Sequence, residues 1–228
     1  MTALIPNRSL FAFEFPLRYR AEFSTFDGCL SRWTNAERLP RLGEIDGRPD
    51  FADVWACWNE SGLCIACRVD GKRKPLRCDP KSFWTGDNLR LCTDMRDARD
   101  IRRATRFCQQ FFFLPTGGGP DRNRPVAGVN KFQRAREDAP PIPVERLRVA
   151  SRVGKTGYTL EAHIPAECLV GFDPDEHRRI GFYYILEDSD HGQQYLTVGD
   201  ELLWYADPST WATAVLSERH RGVQSLSL

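Results

Sequence analysis

The sequence predicts an all-β protein: a two-sheet antiparallel β-sandwich, jelly-roll-like, with one long irregular loop and little helix. Three observations predict it. Short apolar runs alternate at a period of two, as in Leu63-Cys-Ile-Ala-Cys-Arg-Val69 and Gly157-Tyr-Thr-Leu-Glu-Ala-His-Ile164. Turn clusters join neighbouring runs, Asn59-Glu-Ser-Gly62 in one case and Gly154-Lys-Thr-Gly157 in another. Proline and glycine interrupt almost every longer stretch, which leaves little room for a helix of several turns.

Taken in order, Leu10 to Arg20 is aromatic and roughly alternating, and Pro16 inside it removes a ladder donor. That marks an edge or bulged strand, followed by irregular structure from about 24 to 50. Val54 to Trp58 and Leu63 to Val69 form a hairpin about the 59–62 turn. A polar loop, Lys72 to Ser82, leads to a strand over Gly86–Thr93. Asp94 to Arg103 alternates charge sign and fits a loop or a helical turn. Thr105 to Leu114, with Phe107, Phe111, Phe112 and Phe113, reads as a strand buried on both faces. The stretch 115–143 has no periodicity, opens on Thr116-Gly-Gly-Gly-Pro120 and closes on Ala139-Pro-Pro-Ile-Pro143, so it reads as one long loop, functional or mobile. Leu147–Val153 and Tyr158–Ile164 make the clearest hairpin. A helical turn follows at Ala166–Val170. Arg179–Leu186, Gln194–Val198, Leu202–Tyr205 and Thr210–Leu216 complete the strands.

The 228 residues, 41% of them hydrophobic, suit a single domain: an N-terminal strand and irregular segment over 1–44, a core over 45–217 and a tail over 218–228. Net charge is +1, so no global field draws the chain to nucleic acid or to a membrane surface. Met1 to Arg8 lacks the apolar run of a secretory leader, and no segment approaches the roughly 20 apolar residues of a membrane span, so the expected location is cytoplasmic. The eight cysteines read as buried reduced thiols. Cys64 and Cys67 fall on opposite faces of one strand, where they cannot share a metal. Cys57 and Cys64 flank a turn and face one another across it.

Gly117–Gly119 read as a flexible loop entry rather than a phosphate cradle, because no helix-forming segment follows them and no phosphate-loop pattern exists. In the arginine-rich run, Arg96, Arg99, Arg102, Arg103 and Arg106 alternate with Asp94, Asp97 and Asp100, which reads as a solvated loop of cancelling charge. His163, His177, His191 and His220 stand singly, outside any zinc or triad pattern; His163 shares a strand face with Glu161, as part of a polar patch or as an ordinary exposed histidine. Glu161 with Glu187 or Asp188 is the best carboxylate pair for glycoside hydrolysis. Among six tryptophans, Trp84 precedes a strand and Trp204 sits near a chain reversal, so both are placed to serve either as sugar-stacking platforms or as core. Trp55 and Trp58 point to opposite faces, at least one into the core, and Trp33 and Trp211 read as packing residues.

Over residues 45 to 217 the chain resembles the family 9 carbohydrate-binding modules. Trp84-Thr-Gly-Asp87-Asn-Leu89-Arg90-Leu91-Cys-Thr-Asp94 is similar to their Trp-x-x-Asp-x-Val-Glu-x-Phe-x-Asp entry. Gly157 to Pro165 matches their Gly-Tyr-x-Val-Glu-x-x-Ile-Pro segment. Trp58 to Leu63 running on to Val69-Asp70, Gly181-Phe182 with Glu187-Asp188, and Trp204 with Asp207-Pro208 and Trp211 are similar to three further segments in the same order. The resemblance implies a sandwich that clasps a saccharide between two tryptophans, here Trp84 and Trp204, with structural calcium in some members. Arg90, Glu161, His163 and Glu187 would then supply polar contacts, and Asp70, Asp87 and Asp94 would set turns and strand ends or hold calcium. The sequence departs from the pattern at three places: Arg90 replaces a glutamate, Phe112 an arginine, and Ile185–Glu187 an Asn-rich strand end. The expected function is non-catalytic binding of a saccharide or similar polar ligand, with no metal or cofactor required. The alternatives are a protein-interaction domain using the 115–143 loop, and a glycoside hydrolase using Glu161 and Glu187.

Overall fold

Eleven strands form the body of the protein in the computed structural model, which describes residues 12–23 and 25–219. They are β1 (Glu14–Tyr19), β2 (Ala52–Asn59), β3 (Gly62–Asp70), β4 (Asn88–Asp94), β5 (Cys108–Gly118), β6 (Arg124–Asn130), β7 (Arg148–Val153), β8 (Gly157–Pro165), β9 (Arg179–Asp188), β10 (Gly192–Tyr195) and β11 (Ala212–Leu216). The described helical residues are short 3-10 turns, and no described helix is long and apolar enough to cross a membrane. The Met1–Arg8 segment, the start of the strand read from Leu10, His220 and the tail beyond Arg219 lie outside the described residues.

The strands run in the order β6-β5-β4-β9-β11-β1-β2-β3-β8-β7, with β10 beside β9. The first half, β6 to β11, is one layer and the second, β2 to β7, the other. The outer strands β6 and β7 lie against each other, so the sandwich is nearly closed. Alternation drives the burial. Leu89, Leu91, Phe111 and Phe113 from one layer meet Trp58, Ile65 and Leu160 from the other in one hydrophobic core.

Pairing is antiparallel throughout except at β1, which runs parallel to β11 over Glu14–Leu17 and to β2 at Arg18–Tyr19. The strand expected at an edge therefore lies mid-order and joins the two layers. Pro16 is tolerated there because Leu17, next to it, turns its carbonyl to β11 and accepts from Ser217 N at 2.9 Å. Alternation then aims the Pro16 nitrogen at the opposite side, where β2 pairs only from Arg18 onward.

Two further expectations are corrected. The stretch 115–143 is not one irregular loop: β5 continues to Gly118 and returns as β6 after a five-residue turn, so only 119–123 and 131–143 are free of strand. Polar Arg124 and Asn130 frame a half-buried Pro-Val-Ala-Gly-Val run whose strand signal is weakened by its proline and glycine. Leu202–Tyr205 is a set of turns, not a strand.

The outer face of the β2–β3–β8 layer is not open to water. Phe23, Leu30 and Trp33 from the N-terminal segment cover Trp55, Cys57, Cys64 and Ala66 in a second small core. Cys57 and Cys64 are register partners across the hairpin, while Cys67 faces the main core, and all eight cysteines are free thiols.

Candidate functional site

Strands β4, β5 and β9 put one set of side chains into the inter-sheet core and the alternate set on the opposite face. That opposite face carries Arg90, Gln110 and Glu187, the floor of a cleft of ≈ 760 Å³. The volume lies in the range of small-ligand sites.

One wall is the turn after the 3-10 helix Pro80–Ser82, which Asp79 caps by accepting from Lys81 N. Phe83 stacks on Phe112 of β5 at 4.1 Å between ring centroids, 12° from parallel. Gly128 on β6 makes that stack fit, since a Cβ there would lie 2.3 Å from the Phe112 ring. Trp84 meets Phe83 edge to face at 5.3 Å and remains 52% exposed at the lip.

The other wall is the 199–207 turn. Trp204 stacks on Tyr183 at 5.0 Å, donates from Nε1 to Asp200 Oδ1 at 3.0 Å, and lies under the Arg90 guanidinium at 5.0 Å. Its carbonyl accepts from Trp211 Nε1, and only 1% of the residue is exposed. Tyr205, edge-on to Trp204 and 44% exposed, is the open aromatic ring of this wall. So one of the two expected platforms is open and the other is sealed by Tyr183 below and Arg90 above.

A polar chain crosses the floor. Arg90 Nη2 donates to Glu187 Oε2 at 2.7 Å, and Gln193 Nε2 donates to Asp200 Oδ2 at 2.9 Å and to Glu187 Oε1 at 3.5 Å. Burial lifts the Glu187 carboxyl above its ordinary value although Arg90 and Gln193 pull it down, and Asp200 adds to the rise. The buried Arg90 Nε has no hydrogen-bond partner among the described residues. Asn130 and Gln133 complete the lining, so the stretch read as a loop does reach the site.

The structure places Glu161 and His163 elsewhere. Both sit on β8 in the other layer, beneath the N-terminal segment. Glu161, 1% exposed, accepts from Asp27 N at 2.6 Å, Gly28 N at 2.8 Å and Trp33 Nε1 at 3.1 Å. His163 stacks on Phe26 at 5.5 Å and meets Ser61 Oγ at 3.3 Å, and burial pushes its pKa down. These two residues fasten a chain segment rather than face a ligand. Glu161 and Glu187 share neither layer nor cavity, so they form no hydrolytic pair; the second carboxylate of the cleft is Asp200.

The aspartates do not compose a calcium site. Asp87 and Asp188, both fully buried in their side chains, each contact Lys72 Nζ at 2.7 Å, and Asp87 also accepts from Arg77 N and Ser189. An ammonium already occupies the position between these two carboxylates. Asp94 caps a turn by accepting from Arg96 N and Ala98 N. Among the described residues no group of three or more His, Cys, Asp or Glu side chains is placed to hold a metal.

Sequence reasoning missed Gln110, Asn130, Gln133, Gln193, Asp200 and Tyr205. Gln110 carried a signal, being polar within a phenylalanine-rich strand; the others belong to segments whose path depends on tertiary packing.

Comparison with known proteins agrees with this architecture. No family model matches the chain, and no curated protein matches it. Solved structures do. A family 9 carbohydrate-binding module from Caldicellulosiruptor kristjanssonii in complex with cellotriose superposes with a TM-score of 0.63 at 14% identity, covering 92% of this chain and 96% of that one. A structure of such a module from the same organism in complex with glucose gives 0.63 at 15% identity, covering 93% and 100%. A Bacteroides uniformis protein gives 0.55 at 10% identity, covering 91% and 100%. The chain has the carbohydrate-binding-module fold that its sequence motifs led one to expect.

Proposed function

We propose that this protein is a non-catalytic carbohydrate-binding domain that holds a saccharide reversibly in the cleft between Trp84 and Tyr205. The observation that carries the reading is Trp84: a half-exposed indole, backed by the Phe83–Phe112 stack, at the lip of a cleft whose floor carries amides, carboxylates and one guanidinium. A pyranose ring offers an apolar C–H face to such a ring and hydroxyls to such a floor. Arg90, Glu187, Gln193 and Asp200 are already bonded to each other, which fixes their positions before a ligand arrives. The structures of the same fold that hold cellotriose and glucose support a saccharide over other polar ligands.

Binding rather than bond cleavage is the better reading, because Glu187 and Asp200 both spend oxygens on internal partners. A protein-interaction role for 115–143 is less supported, since much of that stretch is a β-hairpin strand and its end lines the cleft.

Calorimetric titration with cellotriose and glucose tests the proposal. Saturable binding is expected, weakened at least about tenfold by Trp84→Ala with an unchanged melting temperature. Equal affinity in that variant, or no heat with any neutral oligosaccharide tried, would sink it.

A further inference from the structure

The arginine-rich turn between β4 and β5 looks neutral in sequence because aspartates alternate with arginines. Folding separates them. Asp94 is 2% exposed and spends its oxygens on the Arg96 and Ala98 amides. The Asp97 side chain, 6% exposed, turns to β11, accepts from the Thr213 hydroxyl at 2.8 Å, and stands 3.7 Å from both Arg99 and Arg179. Asp100 stays exposed. Three other guanidinium groups, of Arg96, Arg106 and Arg136, line one open pocket of ≈ 340 Å³.

Phe107 lines that pocket between two of these arginines. The Arg96 guanidinium lies 4.2 Å from its ring centroid, and Arg106 lies 5.8 Å from it. Arg96 is fixed further by Nη1, which donates to the carbonyls of Met95 at 2.9 Å and Gly171 at 2.8 Å. Gly171 permits this approach: its φ is +84°, and a Cβ there would lie 2.7 Å from the Phe107 ring. Nε and Nη2 of Arg96 have no acceptor among the described residues. Arg136 is anchored by its backbone, N to Ala104 O at 2.7 Å, and its exposed side chain has no ion-pair partner among those residues. The one carboxylate in the lining, Glu137, is 56% exposed and 3.6 Å from Arg106.

We infer that this pocket is a second binding site, one that takes an oxyanion: the sulfate, phosphate or carboxylate group of a small ligand. A planar guanidinium pairs two of its N–H groups with two oxygens of such an anion. The stack on Phe107 and the two carbonyl bonds immobilise Arg96, so little side-chain entropy remains to be lost on binding. Three cations face one exposed carboxylate: Asp94 and Asp97 are engaged inside the fold, and Asp100 is not in the lining. The pocket shares no lining residue with the saccharide cleft, so its occupancy does not depend on the function proposed for that cleft.

Titration of the full chain at low ionic strength, followed by amide nuclear magnetic resonance shifts, tests the inference. The probes are sodium sulfate, glucose 6-phosphate and glucuronate, with glucose as the neutral control. Saturable shifts at Arg96, Phe107 and Arg136 are expected with at least one anion and not with glucose. Tighter binding of the two substituted sugars than of sulfate would assign the oxyanion to a saccharide, and the reverse order to a free inorganic ion; either supports the site. Arg106→Gln and Arg136→Gln, both at exposed positions, should each weaken binding about tenfold while melting curves stay unchanged. Glu137→Gln should tighten it. No saturable shift with any of the three anions, wild-type affinity in both arginine variants, or binding of a single-stranded oligonucleotide alone would overturn the assignment.

Discussion

Trp84→Ala and Trp204→Ala should separate binding from folding. The first removes a ring that is 52% exposed, so its effect is expected in ligand affinity alone. The second removes an indole packed on Tyr183 and bonded to Asp200, and is expected to cost about 3–5 kcal/mol in denaturant unfolding. Glu187 makes a pH prediction. Its folded-state pKa is raised by burial, so folding disfavours its charged form and its ionisation subtracts stability as pH rises past the ordinary glutamate value. As pH falls through the raised value, the Arg90–Glu187 pair is lost. Saccharide affinity should therefore decline at a higher pH than an ordinary glutamate would give, and Glu187→Gln should remove that part of the profile. The residue types of this floor were visible in the sequence at Arg90 and Glu187. Their convergence with Gln193 and Asp200 was not, because it depends on a turn held in place by packing on Tyr183 and by the Trp211 indole, both outside it.

Elements matter here chiefly through what covers their outer faces. β8 reads from sequence as an amphipathic strand with Glu161 and His163 on its polar side, and the register with β3 and β7 follows that alternation. What the alternation cannot say is that the N-terminal segment closes over the polar side and that three donors converge on Glu161. Glu161→Ala leaves the Asp27 and Gly28 amides and the Trp33 indole without their acceptor. It should lower stability by about 2–4 kcal/mol and speed amide exchange across 26–33, with saccharide affinity retained. On β6, Gly128→Ala drives a methyl into the Phe112 ring and should tilt the Phe83–Phe112 stack. Weaker binding through Trp84, in a protein whose cleft residues are all intact, is the expected readout. Wild-type affinity there would show that Trp84 does not depend on this support.

Across the whole molecule, the two layers are tied by β1 and by Lys72, whose ammonium links Asp87 at the entry to β4 with Asp188 at the end of β9. Burial alone would raise Asp188, but its bonds to Lys72, His191 N and Asp190 N outweigh that and hold it low. Burial likewise works against the charge on Lys72, and its two carboxylate partners outweigh it and hold its pKa high. The sign is then fixed. The triad stabilises fully above the ordinary aspartate value and below the ordinary lysine value. Its contribution is lost in acid as pH falls through the depressed Asp188 value, and in base as pH rises through the elevated Lys72 value. Lys72→Met leaves two buried carboxylates facing each other, with an expected cost of about 3–5 kcal/mol near neutrality. Its acid unfolding should begin at a higher pH than that of the wild type.

Alternation, turn residues and motif order were enough to determine an all-β sandwich, its β2–β3 and β7–β8 hairpins and the approximate limits of most strands, because burial on a two-residue period is a local property of the chain. The sealed state of Trp204 against the open state of Trp84 was decided by tertiary structure, since an indole is exposed or not according to what distant segments place on its faces. Tertiary structure also moved Glu161 and His163 out of the site, turned part of the 115–143 stretch into β6, and sorted Asp94 and Asp97 inward from the arginines beside them. Each of these outcomes rests on contacts between residues far apart in the chain, and local pattern carries no record of such contacts.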